Sequence, residues 1–326
     1  MNLALWRRMI GESQWLMTAC AAVLFGYCWV RVWTVSLVDM SRYEMIVEQF
    51  REFERFSPVP IEQLITFLGR ISMTYDEPIC IFTMTVWAIA RGSDCISGEL
   101  SRGTLEMLIA QPVSRLRVLT TKAAVTIVGV AVLAMAAWAG TSVGVSVTTV
   151  EKKVEPLSMR VPLPVVGEMN IPLTWGEPPP PVRVPIRDYV SPRQFAPAVL
   201  NLFAYGLFLS GVTTLLSSWD RYRWRTIGLG VGFVITQMII EVIGLATDGV
   251  RWLLNFSCFT PYDPVAFTML ADRSPEAGWA FFIYDTQGQF VSLGPLGHNA
   301  ILLALGFISF VIAGVIFCRR DLPAPL

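Results

Sequence analysis

Long runs of apolar residues, separated by polar segments, dominate the chain. A helix needs roughly 20 mostly apolar residues to cross a bilayer, and six runs meet or approach that length. The second is the weakest, because it crosses only if its helix continues through Arg91 and Asp94, with Arg91 reaching the headgroups. The pattern predicts an all-α polytopic membrane protein with six transmembrane helices. They span approximately 15–38, 74–96, 117–147, 195–217, 226–247 and 298–318.

Composition agrees with a membrane protein. The 326 residues are 54% hydrophobic and 15% charged, with a mean hydropathy of +0.54, whereas soluble domains carry about 25% charged residues. A formal net charge of zero argues against a nucleic-acid partner. The six cysteines form no C-x-x-C pair, so neither a metal site nor a disulfide framework is expected.

The distribution of charge predicts the orientation. Four polar segments together carry twelve Lys or Arg and six Asp or Glu; they are 1–14, 91–122, 219–225 and 319–326. Short basic loops stay on the cytoplasmic side. We therefore expect a multi-pass protein of the cell membrane with both termini in the cytoplasm. The outer loops would be 39–73, 150–194 and 248–297.

The outer loops have distinct patterns. Residues 39–73 contain two short amphipathic helical patterns, typical of helices on the membrane surface. Residues 150–194 hold ten of the 21 prolines, which favours extended chain with a short hairpin around VRVPIRDY, 182–189. The third loop contains FTPYDPVAFTML, 259–270, which predicts a short helix that begins at a proline.

The polar segment 97–115 interrupts the apolar pattern with a short helix. Leu105, Leu108 and Ile109 share one face, and Pro112 ends the helix because it lacks an N–H. Other residues fit helix ends: Gly103 allows a bend, Thr104 is a capping residue, Glu106 suits the positive end of the helix dipole, and Ser114 is a cap for the next helix. An ordinary surface helix remains an alternative interpretation.

The run ISGELSRGTLEMLIAQPVSRLRVLTTK, 96–122, resembles the cytoplasmic signature of the type 2 permease family of ATP-binding-cassette (ABC) transporters. TPYDP, 260–264, also resembles that family, whereas the long proline-rich outer loop departs from it. Lys122 corresponds loosely to a family lysine. The resemblance implies that this segment couples the spans to an ATPase through Glu99, Gly103, Thr104, Leu105, Glu106, Leu108, Pro112, Ser114 and Arg115.

That resemblance implies a permease subunit, exporter-like, driven by a separate cytoplasmic ABC ATPase. A second permease copy, as homodimer or heterodimer, would pack through spans one and five. None of the three lysines lies in a G-x-x-x-x-G-K-[ST] motif, which holds nucleotide phosphates. We therefore expect no catalytic residue, cofactor or metal in this chain, with ATP and Mg²⁺ bound by the partner.

Two alternatives come from other functional classes. A non-transporting membrane subunit could use the same segment to move a partner protein. GTSVG, 140–144, matches G-x-S-x-G, so Ser142 and His298 could form an intramembrane hydrolase. Gly140 and Gly144 also form G-x-x-x-G, a close-packing motif of membrane helices.

Two ionisable residues lie deepest in apolar sequence, Arg31 in span one and Glu241 in span five. Charges in a membrane usually pair or face a cavity. The two side chains could pair within a subunit or across a dimer, or line a substrate path. Arg31 could instead extend to the headgroups.

Overall fold

A computed structural model describes residues 3–37, 66–104, 114–152, 158–163, 167–172, 182–285 and 287–320. Residues 105–113 of the predicted coupling segment lie outside these ranges, and with them four of its predicted site residues, Leu105, Glu106, Leu108 and Pro112. The amphipathic patterns of the first outer loop also lie outside them, apart from the last residues of the second.

The described chain is predominantly helical. The long helices are α1 (Leu3–Leu37), α5 (Arg115–Val147), α6 (Ala196–Trp219), α7 (Arg223–Ala246) and α9 (Pro295–Arg319). The shorter helices are α2 (Phe67–Ser72), α3 (Pro78–Asp94), α4 (Ser97–Arg102) and α8 (Pro264–Arg273). Turns of 3-10 helix cover Met73–Tyr75, Ile186–Asp188, Pro192–Phe195, Asp248–Phe256 and Ala277–Trp279.

The five long helices have the length and hydropathy to cross a membrane, as the apolar pattern predicted. The remaining predicted span, 74–96, contains α3, which has only 17 residues. At 1.5 Å per residue it extends about 25 Å, less than a typical hydrocarbon core of about 30 Å. The helix begins at Pro78 and ends at Asp94. At Ile96 the backbone departs from helical angles, and there the Ser217 hydroxyl accepts hydrogen bonds from the Ile96 and Ser97 amides.

Helix α6 is the centre of the bundle and packs against α3, α5, α7, α8 and α9. It is apolar on all sides, which is typical of a helix surrounded by protein. Leu202, Tyr205 and Leu209 of α6 are buried in one core with Met84 and Trp87 of α3. This packing buries one face of α3 against the centre of the bundle despite its short length.

Glycines bring α1 and α5 into close contact. A Cβ atom on Gly140 would lie 2.3 Å from the Phe25 carbonyl oxygen, and one on Gly144 would lie 2.7 Å from the Val32 Cβ. Only glycine permits this backbone approach. The packing interpretation of the G-x-x-x-G motif is therefore confirmed.

Short strands correct the all-α prediction. Strands β1 (Thr149–Lys152) and β4 (Val182–Pro185) pair antiparallel, with Thr149 opposite Pro185. Strands β2 (Ser158–Leu163) and β3 (Gly167–Pro172) form a hairpin, as do β5 (Phe282–Tyr284) and β6 (Phe290–Leu293). The predicted local hairpin at 182–189 is wrong, because β4 pairs with a strand about 30 residues earlier and then enters a 3-10 turn.

The TPYDP segment precedes α8 and is held at several points. Asp263 caps α8 by accepting from the Ala266 amide, and Pro264 occupies the first turn. The Asn201 side chain donates to the Pro261 carbonyl, and the Tyr262 hydroxyl donates to the Tyr75 carbonyl. The predicted proline-initiated helix is thus confirmed.

Candidate coupling site and its buried charge cluster

Within the predicted coupling segment, 97–115, the chain leaves α4 through a left-handed glycine. Gly103 has φ +69° and ends α4. The Gly103 amide donates to the Leu100 carbonyl and the Thr104 amide to the Glu99 carbonyl, which is the paired bonding of a Schellman motif. The bend predicted at this glycine is present, and it fixes the direction in which the chain leaves α4.

The other end of the segment is a capped helix start. Ser114 has extended backbone angles, and its hydroxyl accepts from the Arg117 amide, so the predicted cap is confirmed. Arg115 donates to the Arg320 carbonyl at 2.8 Å. The Arg320 guanidinium in turn donates to the Ser218 and Asp220 carbonyls. These bonds join the start of α5 to the ends of α9 and α6.

A buried ion pair joins α4 to α5. Glu99 is fully buried, Lys122 is 1% exposed, and the Lys122 Nζ lies 2.8 Å from the Glu99 Oε1. Lys122 also donates to the Asp94 carbonyl at 2.9 Å, and the Thr104 hydroxyl donates to the Glu99 carboxylate. Glu99 therefore links α4 to α5, the two helices at the ends of the coupling segment.

A second carboxylate, that of Asp94, pairs with three arginines. Asp94 lies 2.8 Å from Arg102, 3.5 Å from Arg223 and 3.7 Å from Arg91, measured between guanidinium nitrogens and carboxylate oxygens. Together with the Glu99–Lys122 pair these residues form what we call the buried charge cluster: Arg91, Asp94, Glu99 and Lys122 are buried, whereas the side chains of Arg102 and Arg223 are 42% and 38% exposed. Its members are Arg91, Asp94, Glu99, Arg102, Lys122 and Arg223. They connect α3, α4, α5 and α7.

Two members of the cluster, Glu99 and Arg102, hold their charges at neutral pH. Burial alone would raise the pKa of Glu99, but Lys122, Thr104 and Arg102 hold that pKa below its ordinary value. Burial would lower the pKa of Arg102, but Asp94 and Glu99 raise it. Both groups are therefore ionised across the physiological range, and their attraction persists there.

Three carboxylates in and beside the buried charge cluster have the spacing of a cation site. Oxygens of Glu12, Asp94 and Glu99 lie within 4.8 Å of one another. Each is already bonded to a basic side chain, Glu12 to Arg8 at 2.9 Å, Asp94 to Arg102 and Glu99 to Lys122. Protein cations thus balance these carboxylates.

The sequence identified part of this site. Glu99, Gly103 and Thr104 do lie together, and Ser114 and Arg115 lie at the start of α5. The roles of Arg91, Asp94, Arg102 and Arg223 were missed, and Lys122 had only a loose family assignment. Opposite charges three residues apart, Arg91 with Asp94 and Glu99 with Arg102, are the local signal of pairing.

The two intramembrane charges have separate contacts within the chain. Arg31 pairs with Glu77, with 2.6 Å between Nη2 and Oε1. Glu241 accepts from the Thr260 hydroxyl at 3.4 Å. Arg31 and Glu241 therefore do not pair with each other within the described chain: Arg31 meets Glu77 at the start of α3, and Glu241 meets Thr260 in the turn before α8.

The residues of the hydrolase hypothesis are engaged within their own helices. The Ser142 hydroxyl donates to the Trp138 carbonyl at 2.7 Å, inside α5. The His298 Nδ1 lies 3.0 Å from the Gly294 carbonyl, and its ring packs on Phe267. Residues 140–144 are helical, so they lack the strand-to-helix turn of a nucleophile elbow.

Comparison with known families gives one match. Residues 13–165 match the family model described as ABC-2 family transporter protein. The matched region is just under half of the chain; it runs from α1 through α5 into the strands and contains every member of the buried charge cluster except Arg223. No curated protein matched the chain.

Proposed function

We propose that the chain is an ABC-2 type permease, the membrane subunit of an ABC transporter, a function supported by the family match over residues 13–165. The chain is the transmembrane half of an exporter. A separate cytoplasmic ATPase subunit docks on residues 97–115 and drives the helices.

The observation that carries this proposal is the anchoring of both ends of the coupling segment. The entry is fixed by the Gly103 turn and by the Glu99–Lys122 pair. The exit is fixed by the Ser114 cap and by Arg115 bonded to the Arg320 carbonyl. A force applied between these anchors reaches five helices, α3, α5, α6, α7 and α9, because interfaces respond as units rather than deforming continuously.

Six crossings with both termini in the cytoplasm complete the proposed topology. Its sixth helix is α3, whose 17 residues are at the lower end of the spanning range. Arg91 at the end of α3 and Arg102 of α4 are both paired with Asp94, which supports a position of this end at the headgroup level. A cysteine replacing Arg102 should resist an impermeant thiol reagent in intact cells. Rapid labelling would refute this orientation.

Two copies would meet through α1 and α7. The apolar windows of these helices are only 22% and 17% buried in the chain, against 67% for the one in α6. A partner copy would cover such faces. Cysteines on α1 and α7 should form disulfides between copies, and cross-links obtained only from α5 and α6 would contradict this arrangement.

The direct test of the function is purification from native membranes followed by reconstitution. We expect an ATPase subunit with a phosphate-binding loop to co-purify, and the reconstituted complex to move a labelled substrate when ATP is supplied. An ATPase that co-purifies without ATP-dependent flux would favour the non-transporting membrane subunit. Absence of any ATPase would overturn the proposal.

A further inference from the structure

Helix α3 has an exposed apolar face. Ile79, Phe82 and Val86 are 43%, 50% and 51% exposed, and their spacing puts them on one face of the helix. Helix α3 packs against both α1 and α7, and residues of both helices lie beside Ala90, the next residue of the same face. We therefore describe this face as an apolar groove between α1 and α7.

The groove ends in a cationic cleft. The next residue of the same face, Ala90, lines a cleft of about 270 Å³ together with Leu16, Glu12, Asp94 and three arginines, Arg91, Arg102 and Arg223. Arg91 is 94% buried, yet its Nε has no hydrogen-bond partner in the described structure, and neither has the Arg223 Nε. Buried donors of this kind are normally satisfied, which indicates that a ligand acceptor is expected here.

The charge at the cleft favours an anion. Three arginines that line the cleft, Arg91, Arg102 and Arg223, face two lining carboxylates, those of Glu12 and Asp94. The lining therefore carries an excess of one positive charge. Planar guanidinium groups match the oxygens of a phosphate group.

Exposed aromatic residues indicate where the cleft lies relative to the membrane surface. Trp15, Trp219, Tyr222 and Trp224 lie at this end of the bundle and are 81%, 76%, 47% and 73% exposed. Tryptophan and tyrosine collect where membrane helices meet the headgroups. The cleft thus lies at headgroup level, and the apolar groove extends from it toward the bilayer centre.

We propose that this groove binds one anionic phospholipid taken from the adjoining leaflet. Its phosphate lies among Arg91, Arg102 and Arg223, and an acyl chain follows Ala90, Val86 and Phe82. The proposal concerns binding alone and does not depend on an ATPase partner; where a second copy packs on α1 and α7, the lipid would lie between the two copies.

The test is native mass spectrometry of the full chain in neutral detergent, with equal amounts of phosphatidylglycerol and phosphatidylcholine. We expect preferential retention of phosphatidylglycerol. Arg223→Gln should reduce that retention about tenfold, and Phe82→Ser should reduce it as well. Arg225→Gln is the matched control, because Arg225 is 55% exposed, pairs with Asp220 and does not line the cleft; it should leave retention unchanged.

Inorganic phosphate distinguishes a lipid from a free anion. Phosphate at the concentration of the lipid should not displace phosphatidylglycerol, because it gains nothing from the apolar groove. Displacement would assign the cleft to a free phosphate group and refute the lipid. Equal retention of the two lipids, or equal effects of Arg223→Gln and Arg225→Gln, would also overturn the proposal.

Discussion

Replacing Lys122 with methionine tests the Glu99–Lys122 ion pair, which joins the two ends of the predicted coupling segment. Methionine keeps the length and apolar volume of the side chain but removes the charge. Glu99 would then remain fully buried without its closest cation, and the Asp94 carbonyl would lose its bond from Nζ. The perturbation is thus confined to one charged group.

The expected cost follows from the burial of both partners. Removing one member of a buried ion pair destabilises a protein by about 3–5 kcal/mol. Glu99 keeps Arg102 at 3.2 Å and the Thr104 hydroxyl, so we expect a loss near the lower limit, about 3 kcal/mol. Changing Glu99 to methionine as well removes the uncompensated charge, so the double variant should recover at least about 2 kcal/mol of the summed single losses.

The assay is chemical unfolding of the purified chain in detergent, with the two single variants and the double variant forming a cycle. Arg183→Met is the control, because the Arg183–Glu151 pair at 3.4 Å is largely exposed and should contribute less than about 1 kcal/mol. Additive losses in the cycle, or equal effects of Lys122→Met and Arg183→Met, would refute the reasoning.

Three further predictions concern packing, backbone and pH. Gly140→Val should destabilise the bundle by about 1–3 kcal/mol, because its Cβ would meet the Phe25 carbonyl. Gly26 has open space around it, so Gly26→Val should not destabilise the bundle. Thermal unfolding compares the two variants. Gly103→Ala should cost about 1–2 kcal/mol because of its positive φ, and equal stability in chemical unfolding would contradict the Schellman turn. Burial, then repulsion by Asp263 and Glu241, raises the pKa of Asp76 to about 6. Its charged form therefore destabilises the fold as pH rises from about 4 to 6; Asp76→Asn should be more stable by up to about 3 kcal/mol at pH 7.5 and equal at pH 4, and a constant difference would refute this.

Periodicity and length predicted the five long helices, because a bilayer demands many consecutive apolar residues. The strand pair β1–β4 could not be predicted, since its partners are about 30 residues apart and neither is strongly patterned. The same limit applies to the site. Gly103 and Ser114 act through local backbone geometry, which the sequence carries, whereas Asp94 meets Arg223 only after α3 and α7 pack together.

The family motif and the charges within apolar runs identified residues but not the partners of those residues. The motif directed attention to Glu99 but not to its buried pairing with Lys122, 23 residues later. Arg31 and Glu241 drew notice because they interrupt apolar runs, yet each meets a nearer polar residue, Glu77 or Thr260. Depth in an apolar run indicates that a charge needs a partner, but not which partner it finds.

The central claim is that residues 97–115 dock an ATPase, and the recovery of that ATPase with variants of the chain tests it most directly. In the helix that the sequence predicts for this segment, Glu106→Arg would change the helix-dipole energy by only about 0.3–1 kcal/mol, whereas a mispaired interface charge costs several kcal/mol. Folding and insertion should therefore survive.

The measurement is the amount of ATPase subunit co-purified in mild detergent, normalised to the permease. Glu106→Arg and Leu108→Asp should each lower it tenfold or more, while Glu151→Arg, an exposed residue on β1, should leave it unchanged. Wild-type recovery and transport with both Glu106→Arg and Leu108→Asp would show that the segment is an ordinary surface loop and would contradict the account.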